Sequence, residues 1–137
     1  MSNIKGILRI VRKIMVGIIA ILLLIYLWMF FDTNELFGEI KAEFAATTYD
    51  SSQQWKPIDY YNSALNFPKA KGGKVSYFVF RVFTLHSFTD GFVLLHYSAV
   101  AKDSNGDMAG GSSNVFSRVD IHKENGKWVI VKIHEHA

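Results

Sequence analysis

Four side chains close to the C-terminus, Arg118, Asp120, His122 and His134, are of the types that hold a ligand or move a proton. Histidine titrates near neutral pH and a neighbouring carboxylate can hold its tautomer, so the set could line a ligand-binding pocket or supply an acid/base pair. The plainer reading is a solvated face, or one buried against another subunit. His134 and His136 stand two apart on one apparent strand with His122 nearby, a spacing that could grip a metal. No carboxylate or thiolate clearly converges on them, so neither a metal nor a cofactor is expected. His86 and His96 read as core or turn residues. Tyr49, Tyr60 and Tyr61 could supply a phenol to a pocket, although aromatic residues there usually pack. The chain has no cysteine, hence no thiolate nucleophile and no disulfide framework. It contains no G-x-S-x-G and no phosphate-cradling glycine loop, and no catalytic residue is assigned.

The element that positions the four residues is a hairpin around Asn125-Gly126. A three-residue turn there pairs His122 with Trp128, Arg118 with Lys132 and Phe116 with His134. It sets Val115, Ser117, Val119, Ile121, Val129, Val131 and Ile133 on one apolar face. The other face then carries Phe116, Arg118, Asp120, His122, Trp128, Lys132, His134 and His136. A two-residue turn at Asn125-Gly126 is the alternative and mixes the two sets.

Upstream, period-two alternation between turn signals predicts an antiparallel meander with strands at 74–87, 91–103, 109–123 and 127–136. The turns at Thr89-Asp90-Gly91, Ser104-Asn105-Gly106-Asp107 and Glu124-Asn125-Gly126 each hold a glycine that tolerates positive φ. The first two strands are apolar on both faces, which places them inside the sheet or under a partner and points to self-association. Before the strands, Thr33 is a candidate N-cap for a helix carrying Leu36, Phe37, Ile40 and Phe44, unless that helix simply continues the segment before it. Thr47 to Gln54 is polar. Pro57 then opens a second helix running to about Leu65, with Ile58, Tyr61 and Leu65 on its inner face. Pro68 and Gly72-Gly73 close the helical half.

The N-terminal segment is different in kind. Ile14 to Phe31 are eighteen residues without a charge, long enough at 1.5 Å per residue to span about 27 Å, close to a bilayer's hydrocarbon thickness. A cleavable signal peptide would have a shorter apolar run ending in small residues, whereas this one ends in Trp28, Met29, Phe30 and Phe31. A soluble core helix would need apolar cover all round from a small domain. The segment therefore reads as an uncleaved single-pass anchor. Lys5, Arg9, Arg12 and Lys13 precede it, while Asp32 and Glu35 follow, so the positive-inside rule puts the N-terminus in the cytoplasm. The expected organisation is a basic cytoplasmic N-terminus (1–13), a transmembrane anchor (14–31) in the cell's inner membrane, and a periplasmic or equivalent extracytoplasmic domain (32–137).

The net charge of +3 is concentrated at the N-terminus: from Asp32 onward there are eleven Lys and Arg against twelve Asp and Glu. That near-neutral body gives no footprint for nucleic acid. Roughly 100 residues after the anchor suffice for one small domain.

The hairpin from Ser117 to His134 resembles the last two strands of the nuclear-transport-factor-2-like superfamily, above all its SnoaL-like branch and the association domain of calcium/calmodulin-dependent protein kinase. The residues that carry the likeness are Gly126, Lys127, Trp128, Val131 and His134; Lys132 departs from it, where many relatives have another His. The resemblance implies an α+β, cone-like domain of about two helices and a four-stranded curved antiparallel sheet. It names a scaffold rather than an activity, since the superfamily includes isomerases, dehydratases, oligomerisation hubs, immunity proteins and membrane-tethered periplasmic domains of type IV secretion components. The function expected is a membrane-anchored, non-enzymatic interaction module with the lipid bilayer, a second copy or other membrane-complex subunits as partners. The alternative is a small-molecule-binding domain or a lyase/isomerase-type enzyme that takes a small apolar ligand in the cone.

Overall fold

The computed structural model describes residues 2–67 and 73–136. Helix α1 (Ser2–Asp32) carries its four cations before residue 14 and is apolar all round from Ile14 to Phe31, and almost none of its apolar stretch is covered by protein. Near the N-terminus it is long and apolar enough to cross a membrane, with a mean hydropathy of 2.8 in its most apolar window. It ends at Thr33, whose hydroxyl turns back to the carbonyls of Met29 (3.2 Å) and Phe30 (3.1 Å) instead of capping the next helix. Helix α2 (Asn34–Ala45) starts one residue later, so the two alternatives read from the sequence meet in a one-residue break at a buried Thr33. Leu36, Ile40 and Phe44 recur every four residues, share one stripe and are buried, with Phe37 half-buried beside them.

The second expected helix is two pieces, a 3-10 turn (Pro57–Tyr61) and the single-turn α3 (Ser63–Asn66). Asn62 divides them: its Oδ1 accepts from Ala64 N and Leu65 N, and its Nδ2 donates to Glu43 Oε2 at 2.8 Å. The break changes the helical phase. Tyr61 therefore stays buried, but Leu65, expected on the inner face, is exposed. Pro68 and Gly72, expected to close this half, lie outside the described residues.

Among the described residues the rest is one antiparallel meander in the order β1-β2-β3-β4, formed by β1 (Lys74–His86), β2 (Asp90–Lys102), β3 (Met108–Glu124) and β4 (Lys127–His136). Only β2, of the two doubly apolar strands, lies inside the sheet; β1 is an edge strand. Of the three turn glycines, Gly106 and Gly126 have positive φ (84° and 77°) and Gly91 does not. Gly91 is needed for another reason: it pairs with His86, and a Cβ there would come within 2.3 Å of the His86 Cβ.

The hairpin register corrects the expected one. Asn125 (φ 52°) and Gly126 form a two-residue turn with Glu124 opposite Lys127, which suits the primed turns that such hairpins use. His122 therefore faces Val129, Lys123 faces Trp128, Arg118 faces His134 and Phe116 faces His136. A bulge then slips in Val131 as an extra residue between the Ile121–Ile130 and Asp120–Lys132 pairs. The bulge restores the parity that a two-residue turn alone would have scrambled. Trp128 and Ile130 point into the core with Ile133, whereas Val129 and Val131, expected inside, do not join it.

The core lies on one face of the sheet only. Val93, Leu95, Tyr97, Val119, Ile121 and Trp128 meet Leu36, Ile40, Phe44 and Tyr61 there. Phe44 stacks on Tyr61 with centroids 5.3 Å apart.

Candidate functional site

Arg118, Asp120, His122 and His134 all stand on the face of the sheet turned away from the helices, because they alternate with the buried Ser117, Val119 and Ile121. Register brings three of them together. Asp120 accepts from Arg118 Nε (3.0 Å) through one oxygen and contacts His134 Nε2 (2.9 Å) through the other. His122 is not part of that triad, and its Nδ1 lies 2.7 Å from Asp90 Oδ1 at the start of β2. Asp90 is held below the usual carboxylate range, chiefly by its hydrogen bond with His122 and then by that with Thr89. All of these side chains are partly open to solvent, so the ion pairs are surface pairs rather than a water-excluded reaction centre. Among the described residues no group of three or more His, Asp or Glu is arranged to hold a metal ion.

Rung by rung, the outer face divides into two halves. Phe80, His96 and Phe116 lie side by side across β1, β2 and β3; the next rung is Phe83, Leu94, Arg118 and His134; the next is Leu85, Phe92, Asp120 and Lys132. The β1–β2 half together with Phe116 of β3 is aromatic, and the rest of the β3–β4 half is charged. The His96 ring sits 5.1 Å from Phe80 and 4.7 Å from Phe116, and the Arg118 guanidinium lies over Phe92 at 4.7 Å. Phe78 and Phe116 remain about half exposed, at 55% and 49%. No helix covers them.

The inner face holds a cluster of which the sequence singled out Tyr60 and Tyr61 but not Tyr97 and Glu135. Leu95, Ser117 and Glu135 share one inner rung with Arg81. Tyr97 donates to Glu135 Oε1, Tyr61 and Ser117 share a short hydroxyl contact, and Glu135 Oε2 is buried without a protein partner among the described residues. Burial first, and the Glu135 carboxylate next, push the Tyr60 phenol up to about 12 and that of Tyr97 higher. These phenols stay protonated at neutral pH and can donate, not abstract. Two clefts flank the cluster, one of about 350 Å³ between Trp55, Tyr60 and Glu135 and one of about 210 Å³ between Phe44, Tyr61 and Tyr97. The second is smaller than the roughly 300–1,000 Å³ of ordinary small-molecule pockets. The signal in the sequence was parity: Glu135 falls two residues after the inward Ile133.

A third assembly joins α1 to the sheet. Arg81 Nη1 donates to Phe30 O and Thr33 Oγ1 (both 2.9 Å), its Nη2 donates to Asn34 Oδ1 (2.6 Å), and its guanidinium covers the Phe30 ring at 3.6 Å. His86 Nε2 faces Met29 O at 3.2 Å, so β1 supplies partners to the carbonyls that a helix end leaves free. Trp128 Nε1 donates to Asp32 Oδ2 at 2.8 Å, and Lys127 Nζ meets Glu39 Oε1 at 2.6 Å. The Gly126-Lys127-Trp128 run thus turns the chain, reaches α2 and grips the end of α1. His86 is buried in this joint, 4.9 Å from the Trp28 ring and 4.6 Å from that of Trp128.

No family model matches the chain, and no curated protein or solved structure matches it.

Proposed function

We propose that this chain is a membrane-anchored, non-enzymatic interaction module, with its N-terminus in the cytoplasm and its α+β domain outside the inner membrane, that pairs with a second copy of itself through the outer face of the sheet. The observation that carries the reading is the uncovered aromatic half of that face. Three half-exposed phenylalanines, Phe78, Phe80 and Phe116, leave about 300 Å² of residue surface in water, at the lower end of the roughly 300–600 Å² of the largest apolar patch on a typical monomer. Copies anchored in one bilayer share height and orientation, so a two-fold axis along the membrane normal brings identical faces together. Such an interface must be self-complementary. Orientation rests on the four cations before the anchor and the acids after it. The helices on one face of a bulged, four-stranded meander support a nuclear-transport-factor-2-like domain, since bulges bend strands toward a cone.

The test is the mass of the detergent-extracted full chain. The parent should run as a dimer or larger, Phe80→Asp should run as a folded monomer, and Asp120→Asn or His122→Gln should leave assembly and cellular phenotype largely intact. A monomeric parent whose phenotype is lost in Asp120→Asn, with folding unchanged, overturns the proposal. The Glu135, Tyr97 and Tyr60 cluster favours the second reading, a small-ligand or isomerase-type site. For that reading, Glu135→Gln should abolish function in a chain that still assembles.

A further inference from the structure

The joint between α1 and the sheet fixes where one end of the β1–β2 hairpin lies. Phe83 stacks on Tyr26 with centroids 5.6 Å apart, and Phe88, in the turn, lies 5.7 Å from Trp28. Tyr26 and Trp28 precede the end of α1 by six and four residues, which at 1.5 Å per residue puts them about 9 and 6 Å inside it along the axis. The uncharged stretch is itself only about as long as a bilayer's hydrocarbon is thick, so Tyr26 and Trp28 cannot rise clear of the membrane without leaving the span too short. Whatever touches them sits at the same depth. Beyond the contact with Trp28, Phe88 is nonetheless 81% exposed, and Leu85 is about half exposed.

We propose that the turn end of the β1–β2 hairpin is a second membrane contact, in which Phe88 and Leu85 enter the headgroup–acyl boundary beside the anchor; this rests on reading α1 as a transmembrane anchor. Hydrogen bonding supports the assignment at the residues flanking Phe88, because backbone groups entering a region poor in water must find partners within the protein. Ser87 N bonds to Asp90 O (2.7 Å), and Thr89 N and Asp90 N bond to Ser87 Oγ (3.3 and 3.2 Å). Lys123 N donates to Thr89 O (2.8 Å), and the Ser87 carbonyl faces His86 Nδ1 (2.6 Å). The Asp90 carboxylate is engaged by Thr89 and His122, away from the Phe88 ring. A helix held at one point can swing about it. A second contact some distance from the axis, coupled to the first by Arg81 and Trp128, fixes the tilt of the outer sheet face relative to the bilayer.

The chain lacks cysteine, so single-cysteine variants can be labelled without altering its background. Phe88→Cys, Asn105→Cys at the opposite end of the sheet and Leu22→Cys within α1 would each carry an environment-sensitive fluorophore in the full chain. They would be reconstituted in phosphatidylcholine–phosphatidylglycerol vesicles containing nitroxide lipids. The expected result is strong quenching at position 22, quenching at 88 that is several-fold above that at 105 and greater for a nitroxide near the headgroup than for one near the chain end, and none of note at 105. Quenching at 22 with none at 88 overturns the second contact and leaves the anchor standing. Blue-shifted but unquenched emission at 88 also overturns it, by showing that protein covers Phe88. An unquenched position 22 removes the anchor and this inference together. Phe88→Ser should leave melting unchanged, and labels at Leu85→Cys in that background should lose quenching.

Discussion

The two faces of the sheet are made by the same four strands, and both present aromatic and aliphatic side chains, yet they have opposite fates. Toward the helices, Leu95, Val119 and Ile121 are fully enclosed, and the polar groups among them are tied into pairs such as Tyr61 with Ser117 and Tyr97 with Glu135. On the outer side, Phe78, Phe80 and Phe116 stay half exposed and the charged groups form open pairs. The difference is not hydrophobicity but cover. Two short helical segments and α2 provide enough surface for one face of a four-stranded sheet and none for the other. Residues on the covered face should therefore govern folding, while those on the uncovered face should govern what the folded domain meets.

The sharpest break in that division comes from Trp128. It is 5% exposed and joins β4 to Asp32, so Trp128→Ala should cost about 3–5 kcal/mol, the usual range for truncating a buried large aromatic. Thermal melting of residues 33–137 and of the full chain should both fall. Trp128→Phe keeps most of the bulk and loses the bond to the Asp32 carboxylate, which should cost about 1.5–3 kcal/mol. A Trp128→Ala chain that melts like the parent would end the claim that this face carries stability.

Glu135 probes the same face through polarity. Removing its carboxylate in Glu135→Ala leaves the Tyr97 hydroxyl buried without its acceptor, a loss of about 1–3 kcal/mol in urea unfolding. The double variant with Tyr97→Phe should recover part of it, because both partners are then apolar. An additive double variant would show that the two groups do not interact.

How far this division could be read from the chain varies with the range of the interaction. The apolar span needed no tertiary information, and the strand ends fell within one or two residues of the expected positions because Asn-Gly and Asp-Gly turns are local signals. Leu36, Ile40 and Phe44 emerged by spacing alone. Register did not, since the extra residue at Val131 is accommodated by packing across the sheet and leaves no local mark. Nor did Arg81: an arginine in an otherwise apolar strand reads as a solvent-facing break, and its partners Phe30 and Thr33 lie about fifty residues away. Parity placed all four candidate site residues on one face and the turn at Ser104-Asn105-Gly106-Asp107 put β2 beside β3, but the link of His122 to Asp90 depends on the register of that pair, and its two irregularities leave no local mark.

The outer face predicts a smaller change in the monomer and a larger one in its company. Phe80→Asp and Phe116→Asp replace half-exposed rings that touch no helix, so the melting of the dispersed domain should move by no more than about 0.5 kcal/mol. In membranes, cross-linking between copies should be lost in both. If either variant unfolds the isolated domain, the outer aromatics belong to the core after all and the two faces are not distinct.

The smallest effect expected belongs to Asp90, and its sign follows from the direction of its shift. Its folded pKa lies below the 3.8 of an unperturbed aspartate because the ionised form bonds His122 and Thr89. At pH above 3.8 the carboxylate is charged in both folded and unfolded chains, and the stabilisation is fully present. As pH falls through 3.8 toward the folded value the unfolded chain binds the proton first, so stability drains away and is gone once both states are protonated. Asp90→Asn should therefore flatten the acid limb of a plot of unfolding midpoint against pH and leave its shape near neutrality alone. In residues 33–137, away from the bilayer, the pair lies in solvent, so 0.5 M salt should shrink the difference between parent and variant, whereas salt should not touch the cost of Trp128→Ala. An Asp90→Asn effect as large at pH 7 in high salt as in low would place this pair in a shielded site, and the outer face would no longer be the open one.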